Sequence, residues 1–243
     1  MNIGVVFAGG VGTRMHSKDR PKQFLLLNNK PIIIHTLEHF QANREIDAIV
    51  IACIESWISH LESLVYQYRI DKVKKIVPGG ITGQLSIYNG LLAAKEIAGE
   101  ERAIVLIHDG VRPLINQGLL SDNIESVKKY GSAITAGIVK ETIVVVDEKM
   151  EVLHVPSRAN SRVAKAPQSF WLDDIIKVHE RALLDGITNS IDSCTLMKQY
   201  GKELHMIDGP YENIKITTPD DYYMMRAILQ AKEDNQLYGF DEV

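Results

Sequence analysis

Five short apolar runs rich in β-branched residues punctuate the chain: Ile3 to Phe7, Ala48 to Ile54, Val73 to Val77, Ala103 to Ile107 and Ala133 to Val139. None alternates strictly between apolar and polar positions, so each reads as a strand covered on both faces. Between them lie helical patterns that begin near Pro31, Ser56, Gln84 and Gln117. Strand and helix in turn predict βαβ units, hence an α/β fold with a Rossmann-like, mostly parallel sheet flanked by helices.

From Ile143 to Val155 the pattern changes. Two β-rich segments flank the polar Asp147-Glu148-Lys149-Met150, which predicts a β-hairpin arm inserted in the α/β body. Helices are expected near Leu172 to Leu184 and Asp192 to Gln199, with a short strand at Leu204 to Ile207. A last helix follows Thr218-Pro219-Asp220, where Thr218 suits the N-cap and Pro219 the first helical position. No repeat or low-complexity segment interrupts this order, so residues 1–233 are expected to form one domain that includes an arm at 141–158. The polar stretch 234–243 reads as a flexible tail.

Composition narrows the class. Among 243 residues, 45% hydrophobic and 24% charged are ordinary globular values, and a net charge of −4 argues against a general nucleic-acid binder while leaving room for a local basic pocket. Cys53 and Cys194 are far apart, and Cys53 lies in an apolar run, so a buried thiol is expected rather than a disulfide. The first residues carry no basic leader, and no window approaches the roughly 20 apolar residues that span a bilayer. A cytoplasmic protein without membrane attachment is the expectation.

The first strand runs into Ala8-Gly9-Gly10-Val11-Gly12-Thr13-Arg14-Met15, followed by Arg20-Pro21-Lys22-Gln23-Phe24. Glycines directly after a strand let the backbone turn tightly and bring its N–H groups to phosphate oxygens. Arg14 and Lys22 add a planar fork and a mobile point charge to the same segment. A plain βα turn would also use glycines. The dinucleotide fingerprint fits poorly, because Met15 stands where its third small residue belongs. No Gly-Lys-Ser/Thr closes an ATP-type P-loop. His35 and His39 are one helical turn apart, but lack the accompanying carboxylate or cysteine of known zinc motifs, and read as helix surface or polar core. Trp57 and Trp171 read as packing residues.

The glycine loop with its Pro21-Lys22-Gln23-Phe24 resembles the signature of nucleotidyltransferases that activate sugar phosphates, in the cytidylyltransferase branch. Further stretches agree in order: Gly79-Gly80 with Ser86 to Leu91, His108 to Pro113, Glu141-Thr142, Pro156 to Ala159, Ala166 to Phe170, and Glu212 to Thr217. The resemblance spans nearly the whole chain. It implies transfer of CMP from CTP to a small polyol phosphate, with release of pyrophosphate. Ser56 to His60, Pro156 to Ala159 and Gly209 to Asn213 look more like the branch acting on ribitol 5-phosphate for teichoic acids or related polymers. The alternative is the branch acting on 2-C-methyl-D-erythritol 4-phosphate for isoprenoid synthesis.

The same resemblance assigns expected roles. Arg14, Lys22 and Lys215 would be the catalytic cations. Phe7, Ala8, Gly9, Gly10, Gly12, Thr13, Gly80, Ser86 and Asp109 would line the nucleotide, with Ser86 and the Gly79-Gly80 turn at cytosine and ribose. Asp109 would also place Mg²⁺, although capping a helix or pairing with Arg112 is the competing role for that residue. Thr142, Arg158 and Arg112 would bind the acceptor, with the arm reaching across a homodimer. Two positions depart from the family pattern: Gly83 stands where an arginine is expected, and Ile191 where a threonine is expected. These bear on base contacts and on the choice of polyol. A nicotinamide-dependent oxidoreductase and a non-catalytic binding protein are the rival classes, and titration with NADH against CTP separates the first of them.

Overall fold

The computed structural model describes residues 1–10, Met15 and 20–233. Eleven strands occur among them: β1 (Asn2–Ala8), β2 (Leu26–Leu27), β3 (Lys30–Pro31), β4 (Ala48–Cys53), β5 (Val73–Pro78), β6 (Ile104–Asp109), β7 (Ser132–Ile138), β8 (Val145–Val146), β9 (Val152–His154), β10 (Arg162–Trp171) and β11 (Met206–Asp208). Helices α1 (Ile32–Ala42), α2 (Ile58–Gln67), α3 (Gly83–Ala98), α4 (Gln117–Tyr130), α5 (Leu172–Leu184), α6 (Ser193–Gln199) and α7 (Pro219–Glu233) complete the order. Seven strands make one sheet in the order β11-β7-β10-β6-β1-β4-β5. All neighbours pair in parallel except β10, which is antiparallel to both β6 and β7.

The apolar runs form strands because both faces are covered, and the alternation is visible in three dimensions. Val6, Ile49, Ile51 and Leu106 face one layer with Leu37, Leu61 and Ile124, which belong to α1, α2 and α4. Ile3, Val5, Val50 and Val105 face the other with Leu91, Ile175 and Leu196, from α3, α5 and α6. Each fully buried side chain of this kind contributes on the order of 1.5–3 kcal/mol. A third cluster, with Met15, Leu27, Val111, Ile216 and Met225, packs α7 across the carboxyl ends of the central strands. That packing brings the 212–217 segment to the site.

The chain leaves β1 for β4 on one side, and returns past it to β6 on the other. The strand order therefore reverses between β1 and β6. A crevice opens outside the carboxyl ends at such a point.

Side-chain caps set helix starts, as expected at Thr218 and, without having been foreseen, at Asp192. Asp192 caps α6 by accepting from Thr195 N at 2.7 Å. At α7 the Asp221 carboxylate accepts from Thr218 N at 2.8 Å, while the Thr218 hydroxyl faces Asp221 N at 3.5 Å. This is the reciprocal pattern of a capping box. The arm is a hairpin, as expected, with strands of two and three residues: Val145 pairs with His154, and Val146 with Val152. Cys53 is fully buried, and burial pushes its thiol up to about 11.

Two elements differ from expectation. Strand β10 was not foreseen, because Pro167 in its middle lacks an N–H and argues against a strand inside a sheet. The structure accommodates it at an irregularity, where the pairing with β7 shifts register between Ala164 and Gln168. The β2–β3 hairpin was also unforeseen. It turns on Asn28 and Asn29 at φ 48° and 60°, a left-handed pair that asparagine tolerates.

Candidate active site

Phe7 and Asp109 are register partners at the carboxyl ends of β1 and β6, so the topology sets a carboxylate beside the start of the glycine segment. From there Gly9 passes directly against the Gly79-Gly80 turn. A Cβ on Gly9 would lie 2.7 Å from Ser86 Oγ, and one on Gly79 would lie 3.2 Å from Gly9 Cα. Ser86 Oγ accepts from Gly80 N at 3.0 Å and donates to Thr82 O at 2.9 Å. The serine expected at the base and ribose thus holds the turn while also lining the cleft. Thr82 caps α3 through Leu85 N and donates to Thr188 O at 2.6 Å, tying this turn to the loop before α6.

Lys22 rides on a single 3-10 turn, Lys22–Phe24. Gln23 Nε2 donates to Ala8 O at 2.6 Å, and Phe24 stacks on Trp57 with ring centroids 4.8 Å apart, so the turn is anchored on both sides. Lys22 Nζ donates to Ile216 O at 2.9 Å.

Asp109 is the electrostatic centre. Its Oδ2 accepts from Arg112 Nε at 2.7 Å, and its Oδ1 meets Lys215 Nζ at 2.6 Å. Burial alone would push this carboxyl up, but the Arg112 and Lys215 charges together outweigh it and hold it well below the usual carboxylate range. The pairing with Arg112 anticipated as the competing role is present, and Lys215 shares the same carboxylate. Arg112 in turn donates to Asn213 O at 3.1 Å, and Asn213 Nδ2 donates to Ala166 O at 2.6 Å. The 212–217 segment and β10 are thereby locked to the end of β6.

Two adjoining chambers open here. One of about 360 Å³ is lined by Phe7, Ala8, Gly9, Gly10, Lys22, Gly80, Ser86, Asp109 and Lys215. The other, about 290 Å³, shares Phe7, Gly83, Asp109 and Lys215 with it and adds Arg112, Lys165, Gln168, Ile191, Asp192 and Ser193. Gly83, at the first turn of α3, has nothing within 4 Å of where a Cβ would stand, so the missing arginine leaves open space at the junction. Thr142 and Arg158 line neither chamber. Both are exposed on the arm, and Arg158 Nη1 donates to Lys140 O at 3.1 Å. Arg14, Gly12 and Thr13 lie outside the described residues. Lys165, Gln168 and Ser193 were given no role in the sequence reading. A lysine among small and apolar neighbours, Val163-Ala164-Lys165-Ala166, was the available signal for the first.

No group of three or more His, Cys, Asp or Glu side chains among the described residues could hold a metal ion. His35 and His39 bond to backbone carbonyls, Leu27 O at 2.8 Å and Pro113 O at 3.0 Å. Among the described residues, Asp109 is the one carboxylate shared by both chambers. A single carboxylate fits Mg²⁺ held chiefly by substrate phosphate oxygens and water, the usual arrangement for that ion at nucleotide sites.

Comparison with known proteins places the chain. The family profile of 2-C-methyl-D-erythritol 4-phosphate cytidylyltransferase (IspD) matches residues 3–231. A ribitol-5-phosphate cytidylyltransferase of Streptococcus agalactiae serotype V is 53% identical over 239 residues, 98% of this chain and 99% of that one. A 2-C-methyl-D-erythritol 4-phosphate cytidylyltransferase of Clostridium botulinum is 37% identical over 229 residues, 94% of this chain and 97% of its own length. Among solved structures, the 4-diphosphocytidyl-2C-methyl-D-erythritol synthase of Anaerococcus prevotii superposes with a TM-score of 0.82 at 26% identity, covering 94% of this chain and 96% of that one. The crevice between β1 and β6, with its glycine turns and converging cations, thus sits in a fold shared along nearly its whole length, and the chain belongs to the 2-C-methyl-D-erythritol 4-phosphate cytidylyltransferase (IspD) family of CTP-dependent nucleotidyltransferases.

Proposed function

We propose that this enzyme transfers CMP from CTP to D-ribitol 5-phosphate, forming CDP-ribitol and releasing pyrophosphate. The observation that carries the reading is the pair of adjoining chambers that share Asp109 and Lys215, one walled by the glycine turns and the other by β10 and the α6 turn. Two anions can meet at the shared residues. The 53% identity to a ribitol-5-phosphate enzyme, against 37% to a methylerythritol enzyme, supports ribitol as the polyol.

An oxygen of the acceptor phosphate attacks the α-phosphorus of CTP. The new P–O bond forms as the bridging bond to the β-phosphate breaks, and the electron pair leaves with pyrophosphate. A phosphate monoester with its second pKa near 6 is largely dianionic at neutral pH, so no strong base is needed. What remains is to hold two repelling anions in line and to stabilise charge growing on the α-phosphate. Arg14, Lys22 and Lys215 take that role, with Asp109 orienting Lys215 and Arg112. Phe7, Ala8, Gly9, Gly10, Gly12, Thr13, Gly80 and Ser86 form the nucleotide wall. Bound Mg²⁺, with Asp109 as its protein ligand, would neutralise triphosphate charge.

Arg112 binds the acceptor from within the subunit, and Thr142 and Arg158 from the arm of a second copy. Val144, Val152, Leu153 and Val155 on the arm are each 45% or more exposed, and an isolated two-stranded ribbon is marginal in water. A two-fold dimer covers both arms with one self-complementary patch. Replacing residues 143–155 by a short glycine linker is expected to give a monomer by light scattering, with CTP binding kept and acceptor KM raised. A wild-type chain that is monomeric at micromolar concentration would rule the shared arm out. We assign the reaction to the cytoplasm; no helix among the described residues is long and apolar enough to cross a membrane.

Pyrophosphate release tests the function directly. With Mg²⁺ present, CTP should outrun ATP, GTP and UTP, and ribitol 5-phosphate should outrun 2-C-methyl-D-erythritol 4-phosphate. Preference for the methylerythritol acceptor would install the alternative branch, and equal rates with ATP would defeat the nucleotide assignment.

A further inference from the structure

Beyond the shared centre, the smaller chamber is walled partly by Ala164, Ala166 and Ile191, which carry no polar side-chain atom. A polyol entering it brings several hydroxyls that need partners. Lys165 and Ser193 line that chamber and are not among the groups assigned to the phosphates.

Lys165 is set there by its surroundings. Its stem crosses Gly137 on the neighbouring strand β7, where a Cβ would come within 2.8 Å of Lys165 Cε. Its ammonium donates to Pro210 O at 3.1 Å and Tyr211 O at 3.0 Å. An ammonium has three donors, so one more bond can be made. Burial, and then the Arg112 charge, lower its pKa below the ordinary lysine value.

Ser193 is 2% exposed, and its Oγ finds no hydrogen-bond partner among the described residues. A buried hydroxyl left without a partner costs free energy unless a ligand supplies one. Gln168 joins the two positions: its Nε2 donates to Lys165 O at 3.2 Å and to Asp192 Oδ2 at 2.9 Å, while its Oε1 accepts from Cys194 N at 2.8 Å. The backbone of Lys165 and the turn bearing Ser193 are thus held by one amide.

We propose that Lys165 and Ser193 are specificity-determining residues that hydrogen-bond the acceptor's hydroxyls remote from its phosphate, Lys165 as donor and Ser193 as donor or acceptor. This rests on the reading of the smaller chamber as the acceptor site.

The test compares wild type, Lys165→Met and Ser193→Ala with two acceptors, ribitol 5-phosphate and glycerol 3-phosphate, the latter lacking the distal hydroxyls. Lys165→Met should raise KM for ribitol 5-phosphate by about 10–100-fold and Ser193→Ala by about 3–10-fold, the loss of a charged and of a neutral hydrogen bond respectively. The ratio of kcat/KM for ribitol 5-phosphate over glycerol 3-phosphate should fall by the same factors, while kcat at saturating acceptor and KM for CTP stay within about threefold. If Lys165 merely tethers the 210–211 loop, both acceptors suffer equally and the ratio is unchanged, which overturns its role. Should a thermal melt show Lys165→Met unfolded, the ratio in Ser193→Ala decides, and an unchanged ratio there overturns the inference. Wild-type enzyme that turns over no polyol phosphate would sink the reading of the chamber and this inference with it. Wild-type turnover with unchanged ratios in both variants would sink the inference alone.

Discussion

Lys22→Ala is expected to lower kcat by about 10²–10³-fold while changing KM for CTP far less, the signature of a donor whose interaction strengthens in the transition state. Its setting argues for that role. The 3-10 turn is clamped by Gln23 on Ala8 O and by Phe24 on Trp57, so the ammonium reaches the cleft from a rigid base. Its bond to Ile216 O ties it to the segment that supplies the other cation, Lys215. Alanine removes the charge without touching the clamp, and thermal stability should change little. Arg14→Ala carries the same expectation from its place in the glycine segment. Steady-state kinetics with CTP varied at saturating acceptor would decide, and a variant with near wild-type kcat and only a raised KM would make that residue a binding group.

Asp109→Asn should cost stability and activity together: about 3 kcal/mol in urea unfolding, and about 10²-fold or more in kcat. The carboxylate is buried between two cations, and its loss leaves Arg112 and Lys215 facing each other without a countercharge. Breaking a buried pair typically costs 3–5 kcal/mol. The lower end applies because the Lys215 side chain is 39% exposed and partly screened by water. The pH dependence has a definite sign. A carboxyl whose folded pKa is depressed contributes stability that is present above its unfolded value near 3.8, and that is lost as pH falls below it towards the folded pKa. The wild-type advantage over Asp109→Asn should therefore be full at neutral pH and shrink in acid below that value. Equal urea midpoints at pH 7 would contradict the account.

Much of the architecture was legible because burial on both faces leaves a plain mark. Ala48 to Ile54 and Ala103 to Ile107 read as covered strands, and β4 and β6 are buried at every position. The cap at Thr218 was legible because the chemistry is local, and three or four residues suffice to state it. Strand β10 was not, since its pairing partners are β6 and β7, distant in sequence, and its proline spoke against it.

The candidate site divides along the same line. The glycine segment with Arg14 and Lys22, and the motifs around Asp109 and Lys215, were read as parts of a phosphate-handling cleft by residue type, order and family resemblance. The pairing of Asp109 with Arg112, three residues on, was anticipated from the sequence; only the fold could add Lys215 to the same carboxylate, because that contact joins segments remote in the chain and depends on α7 packing the 212–217 segment across the strand ends. Only the fold could turn Ser86 inward to hold the Gly80 turn, or lay Lys165 over Gly137. The sequence by itself determined the class of element and, through the resemblance its motifs carry, the family. Which of those groups meet, which are held by backbone, and which buried hydroxyl waits without a partner were decided by tertiary packing, since distance between remote segments is a property of the folded sheet and is written in no local run of residues.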